Sequence, residues 1–189
     1  GMPSRTRRLY HGRKFKKGRP EVLSIDRDLD LAISEFAPGS QKTKDKRILR
    51  AEGFTPPLDV RPNGRLFEVD ERTFSWERWL SKCGRCHYAM TSEDEPTRAG
   101  CPQCGSPQIG NGGDYAELLA RVPLGFRTDF STGEDAREDE DIVVAGSSRL
   151  AQSDQIAPVD VRGTNVSLAF TGSGHVFAVD DNNGRLFTG

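Results

Sequence analysis

The sequence predicts an α+β fold: mainly antiparallel β with a few short helices and an inserted zinc-ribbon-like knuckle of four cysteines. Three observations predict it. The chain's only cysteines form two tight pairs, Cys83-x-x-Cys86 and Cys101-x-x-Cys104, separated by 14 residues. The last third is a series of short β-rich runs bounded by Gly and Asn turns. The hydrophobic share is 34% against 29% charged, a thin core for 189 residues that a metal staple and a partner surface would both supplement.

Residues 1–20 carry Arg5, Arg7, Arg8, Arg13, Lys14, Lys16, Lys17 and Arg19 and no acid, a formal +8 against −9 for the remainder. They are expected to form a flexible basic arm, with Gly1-Met2 reading as a cloning scar and Leu9-Tyr10 and Phe15 able to anchor an extended piece. Two readings of the arm stand side by side. The eight cations contact nucleic-acid phosphates, DNA being the candidate partner, or the arm is a solubilising tail or a strand docked on the acidic body.

Residues 21–189 are expected to form a single domain, with the zinc module at about 76–110. Glu21 to Ile25 reads as a strand. In 26–36, Leu29, Ile33 and Phe36 follow helical spacing while Leu29, Leu31 and Ile33 alternate, so the period leaves helix and strand open. Pro38-Gly39, Thr55-Pro56-Pro57 and Arg61-Pro62-Asn63-Gly64 mark breaks and turns. Leu66 to Val69 reads as a strand, and Trp76, Trp79 and Leu80 are expected to pack against the knuckle, base stacking being the alternative for the tryptophans.

After the second pair, Asp114 to Val122 predicts a helix with a capping box from Asp114 to Glu117, closed by Pro123. Leu124 to Phe130 predicts a strand. Glu134 to Asp141 reads as a solvated acidic loop. Ile142 to Val144, Val159 to Val161, Asn165 to Phe170 and His175 to Val179 predict strands, with turns at Thr171 to Gly174 and Asp181 to Gly184. The pentamer Asn63 to Phe67 recurs as Asn183 to Phe187, and a duplicated hairpin is one reading of it. The chain stops two residues later in what should be a strand, which reads as an excised piece of a larger protein.

The cysteine pattern carries the most chemistry. A two-residue gap lets one tight turn aim both thiolates at a point, and two such turns supply a tetrahedron of soft ligands, the geometry of structural Zn²⁺. A disulfide framework lacks a secretory signal, and a redox site needs one pair only. An iron–sulfur cluster also takes four cysteines, so zinc against iron stays open at this level. His87 follows Cys86 and reads as a neighbour of a complete ligand shell. With no open position, such a metal holds the fold.

No catalytic constellation is present. The chain has no Gly-x-x-x-x-Gly-Lys-Ser/Thr loop, no Gly-x-Ser-x-Gly and no His-Glu-x-x-His, and His11, His87 and His175 have no recognisable partners. Asp129, Asp180 and Asp181 are the carboxylates to test for a metal-dependent nuclease, ordinary turn acids being the alternative. Thiolate ligands and the lack of a signal or an apolar span predict a cytoplasmic setting and no membrane partner.

Ala32 to Gly39, Gly53-Phe54, the four cysteines, Pro123 to Arg127 with Asp129, and Asp181 to Arg185 with Phe187 follow one another in a characteristic order. Together they resemble the zinc-binding C-terminal domain attached to superfamily 2 (DEAD/DEAH-like) helicases, which also occurs in the helicase-partner subunit of the DISARM anti-phage system. The resemblance spans roughly 25–189 and implies Cys83, Cys86, Cys101 and Cys104 as metal ligands. It also implies a helicase core or partner subunit as partner, and DNA repair or antiviral defence as setting. The helicase lobes are absent from this sequence, so unwinding is not an activity of this polypeptide. The expectation is a non-catalytic accessory domain that binds nucleic acid, a partner, or both. A purely structural or protein-interaction domain is the alternative, and a nuclease the third.

Overall fold

A computed structural model describes residues 5–131, 134–135, 141–144, 146–151, 159–160, 162–163, 167–168, 176–182 and 187. In chain order the elements are β1 (Thr6–Lys16), β2 (Arg19–Asp28), α1 (Leu29–Glu35), β3 (Gln41–Lys44), β4 (Arg47–Arg50), β5 (Gly53–Thr55), β6 (Leu58–Val60), β7 (Leu66–Glu68) and β8 (Phe74–Cys83). Then follow β9 (Ala89–Ser92), β10 (Tyr115–Pro123), β11 (Gly125–Arg127), β12 (Glu134–Asp135), β13 (Ser148–Ala151), β14 (Val159–Asp160), β15 (Ser167–Leu168) and β16 (Val176–Val179). The prediction of a mainly antiparallel β fold with little helix holds.

The chain divides into two compact units. The first comprises Gly1–Trp76, Arg121–Ser148 and Val179–Gly189; the second comprises Glu77–Ala120 and Arg149–Ala178. The second holds the cysteines and extends beyond the predicted 76–110.

In the first unit, residues 6–28 form one long hairpin, so the expected flexible arm is ordered from Thr6 onward. Lys16 pairs with Arg19 across a two-residue turn in which Lys17 (φ 50°) and Gly18 (φ 75°) are both left-handed, the type I′ geometry whose twist matches antiparallel strands. A bulge between Tyr10 and Gly12 shifts the register. Leu9 and Tyr10 are buried because β1 also pairs in parallel with β11, Leu9 opposite Phe126, giving a sheet of order β2-β1-β11-β5. Two buried apolar residues in a strand rich in cations thus tie it into the core.

The helix α1 resolves the ambiguity of 26–36. Ala32 and Phe36 are fully buried while Leu31 is 50% exposed, the outcome of the 3.6-residue period and not of alternation. Leu9, Ala32, Phe36, Ala51 and Phe126 make the core, with Ile25 and Phe54 against it. Phe36 meets Phe126 edge-on at 5.7 Å, and Phe54 meets Phe126, Phe74 and Phe187 at 5.6, 5.5 and 5.8 Å.

At the end of the predicted acidic loop, Asp141 is exposed yet tied to β3. Asp141 accepts from Lys42 Nζ at 2.8 Å and from the Thr43 backbone N–H at 2.7 Å, and Glu35 lies 2.8 Å from the same Nζ. Burial opposes charge on Lys42, yet hydrogen bonds to Asp141 and Glu35 outweigh it and raise the ammonium's affinity for its proton. Residues 136–140, Thr171 to Gly174 and 183–186, the last taking in most of the second pentamer, lie outside the described residues.

In the second unit, β8 is central to the sheet β10-β8-β9, with Trp79 opposite Ser92 and Leu80 opposite Thr91. Asp114 to Val122, predicted as a helix, is almost wholly β10. Leu118 and Leu119, which a helix would have buried on one face, are 36% and 40% exposed, while Tyr115 is fully buried. Its local helical signal loses to pairing with the ten-residue β8, a tertiary gain that intrinsic propensity rarely outweighs. The strand β14 pairs with β15, Val159 opposite Leu168. Among the described residues no helix is long and apolar enough to cross a membrane.

Candidate metal centre

The four cysteines converge. The Sγ atoms of Cys83, Cys86, Cys101 and Cys104 all lie within 4.8 Å of one another, with Cys83 to Cys104 at 3.7 Å and Cys86 to Cys101 at 3.5 Å. Four sulfurs about 2.3 Å from one tetrahedral ion have edges of about 3.8 Å. All four are free thiols, and these separations are far longer than the roughly 2.05 Å of a disulfide.

The two loops holding them are built alike. Cys83 N–H donates to the Tyr88 carbonyl at 2.9 Å, and Cys101 N–H donates to the Ser106 carbonyl at 2.8 Å. His87 N–H closes back on the Cys83 carbonyl at 3.0 Å, and Gly105 N–H on the Cys101 carbonyl at 2.9 Å. Both closing residues are left-handed, with φ of 61° and 69°. Glycine meets that requirement freely, whereas His87 adopts it at a cost. His87 is exposed and stands outside the thiol group, so its part here is a backbone turn.

Burial pushes the Cys83 thiol up, but backbone N–H groups of Cys86 and Arg85, aided by the Cys104 and Cys86 thiols, bring it below the ordinary value. Burial pushes Cys86 up to about 12; the Tyr88 backbone N–H opposes this and the other thiols add to it. Four crowded thiolates repel one another unless a cation sits among them, so the donor set suits a soft or borderline divalent ion such as Zn²⁺. When bound, such an ion supplies crosslinking and no reaction, because all four positions are filled by protein.

Packing around the sulfurs differs from expectation. Tyr88 and Tyr115 complete the buried cluster with Cys83 and Cys101, and Met90 packs against it; neither tryptophan belongs to it. Arg98 Nη1 donates to the Tyr88 hydroxyl at 3.1 Å, and the Tyr115 hydroxyl donates to Glu117 at 2.7 Å. The short spacing from Cys86 to Tyr88 was a legible signal for the first; nothing local flagged Tyr115, which belongs to the segment predicted as helix.

The eight basic residues differ in their surroundings. Arg7 Nε donates to the Pro123 carbonyl at 2.6 Å and Arg13 to the Gly64 carbonyl, so both are structural. Arg8 faces Asp26 at 3.4 Å and Lys14 faces Glu21 at 3.7 Å across the hairpin. Lys16, Lys17 and Arg19 are exposed at the tip with no acidic partner among the described residues. Arg5 is exposed at the other end of β1, roughly 35 Å away along an extended strand.

Among the described residues the nuclease candidates join no group placed to hold an ion. Asp129 accepts from Ser131 N–H and Asp180 from Asn182 N–H, each an Asx turn. Burial raises Asp180, Asn182 N–H opposing and Asp181 adding to it. Among the described residues the cysteines form the only group of three or more His, Cys, Asp or Glu side chains placed to hold an ion.

Neither known family models, nor curated proteins, nor solved structures yield a match to this chain.

Proposed function

We propose that this chain is a non-catalytic, zinc-stabilised accessory domain of a helicase-related DNA-processing or phage-defence system, and that it binds nucleic acid. The observation that carries the reading is the convergence of four thiols in two matching loops, a site suited to holding structure and closed to substrate. The helicase setting rests on the sequence resemblance. Nucleic-acid binding is supported by the basic hairpin tip, whose cations have no acidic partner to displace among the described residues.

Ion pairing of Arg8 with Asp26 and Lys14 with Glu21 favours a second reading, in which the hairpin is chiefly structural and the domain docks a partner subunit in the cytoplasm. A salt series of gel shifts, run beside a pull-down with a helicase core, separates the two. Binding at low salt that falls steeply as salt rises supports the first reading. Retention of the helicase with no nucleic acid bound at any salt supports the second.

A further inference from the structure

The hairpin tip is not isolated. The strand β6 lies beside β2, and the turn joining β6 to β7 meets the end of β1. Arg13 donates to the Gly64 carbonyl, and a Cβ on Gly64 would fall 2.8 Å from Phe15 Cζ, so the Phe15 ring rests on the bare backbone of that glycine. Gly64 is also left-handed, at φ 80°. The ring nevertheless stays 63% exposed, unusual for a phenylalanine held in place.

Around it, residues 13–21 and 61–65 carry seven Lys or Arg and a single acid, Glu21. Arg65 is exposed like Lys16, Lys17 and Arg19, and among the described residues no acidic side chain neutralises any of the four. Arg61 sits over the Phe67 ring at 5.3 Å, which fixes it at the edge of the same surface.

We propose that Phe15, Lys16, Lys17, Arg19 and Arg65 form a ridge that binds one unpaired nucleic-acid strand, a base stacking on Phe15 while the cations take neighbouring phosphates. The inference rests on the nucleic-acid reading above and names its surface and substrate class. A lone two-stranded ribbon fits a duplex major groove about 12 Å wide. Here the separate two-stranded sheet β6-β7 lies against β2, so the ribbon is not a lone one. An aromatic platform flanked by mobile cations is what a flexible single strand uses, because every base offers a stacking face.

Fluorescence anisotropy with a short mixed-sequence single strand, its duplex and polyglutamate as competitor tests the ridge in the full chain. Phe15→Ala is expected to weaken single-strand binding about tenfold and leave the salt slope unchanged. Changing Lys16, Lys17, Arg19 and Arg65 to Ala is expected to flatten the log–log salt slope by about 0.7 for each phosphate no longer neutralised. Phe15→Trp is expected to keep affinity and to show fluorescence quenching on binding, which guards against a hairpin disturbed by the alanine. Binding of the single strand that ignores all these variants overturns the ridge alone, as does duplex preference or equal displacement by polyglutamate. No binding of either nucleic acid at low salt overturns the nucleic-acid reading itself.

Discussion

His87 and Gly105 occupy the same left-handed backbone position, φ 61° and 69°, each donating its N–H to the carbonyl of the first cysteine in its own loop. The pair exposes an asymmetry between two otherwise matched knuckles. Replacing His87 by Gly is expected to stabilise the metal-loaded protein by about 0.5–1 kcal/mol, strain relief being partly offset by a freer unfolded chain. Gly105→Ala is expected to destabilise it by about 1 kcal/mol. Denaturant midpoints of the two variants check both signs.

Metal binding should release protons. Burial holds the Cys86 thiol protonated up to about 12 without a cation, so a bound ion must displace its proton. Calorimetry of Zn²⁺ addition to stripped protein in buffers of different ionisation enthalpy is expected to show proton release that shrinks as pH rises. Affinity is expected to fall on acidification, as protons compete for sulfur.

Lys42 is 9% exposed at its side chain and bridges Glu35 and Asp141 at 2.8 Å each. Removing it as Lys42→Ala is expected to cost about 1–3 kcal/mol, less than a fully buried pair because Asp141 is 46% exposed and screened. Burial opposes ionisation of Glu35, but hydrogen bonds to Lys42 and Arg27 outweigh it and hold the carboxyl low. Burial likewise opposes ionisation of Asp141, and hydrogen bonds from Lys42 and the Thr43 N–H outweigh it there. Their contribution is therefore full above the unfolded carboxylate value of about 4 and is lost as pH falls through the depressed folded values. Lys42, raised, contributes fully below about 10.4 and is lost only as pH climbs past its folded value. Acid titration of stability should be shallower in the alanine variant than in the parent.

Gly64→Ala is expected to destabilise the protein by about 1–2 kcal/mol, because the new methyl meets Phe15 Cζ at 2.8 Å in a left-handed backbone. The aromatic resonances of Phe15 should shift while those of Phe126 stay in place. Unchanged Phe15 signals would contradict the seat described for its ring.

The metal site was readable because its information is local: two Cys-x-x-Cys turns dictate their own loop geometry, and only the distance between loops needed the fold. The β character was readable from β-rich runs and turns. The hairpin of residues 6–28 was readable only in its second strand, at Glu21 to Ile25, because Leu9 and Tyr10 lie among cations and the residues opposite them in β11, Phe126 and Arg127, are distant in sequence. Asp114 to Val122 misled for the converse reason. Its capping box and leucine spacing are genuine local signals, but Tyr115 is anchored beside the cysteines and the segment pairs with β8. The basic residues were visible as a count, whereas their division into structural, paired and exposed groups depends on Pro123, Gly64, Asp26 and Glu21 lying opposite them.

The metal-to-protein ratio of the purified chain, read by elemental analysis beside native mass spectrometry, tests the central claim most directly. One zinc ion per chain is expected, falling to none or to a weakly held fraction in Cys101→Ser, with loss of cooperative unfolding in residues 77–120 by hydrogen exchange. A chain that carries no ion and keeps the same exchange protection after chelation, or one that carries iron and labile sulfide, contradicts the account.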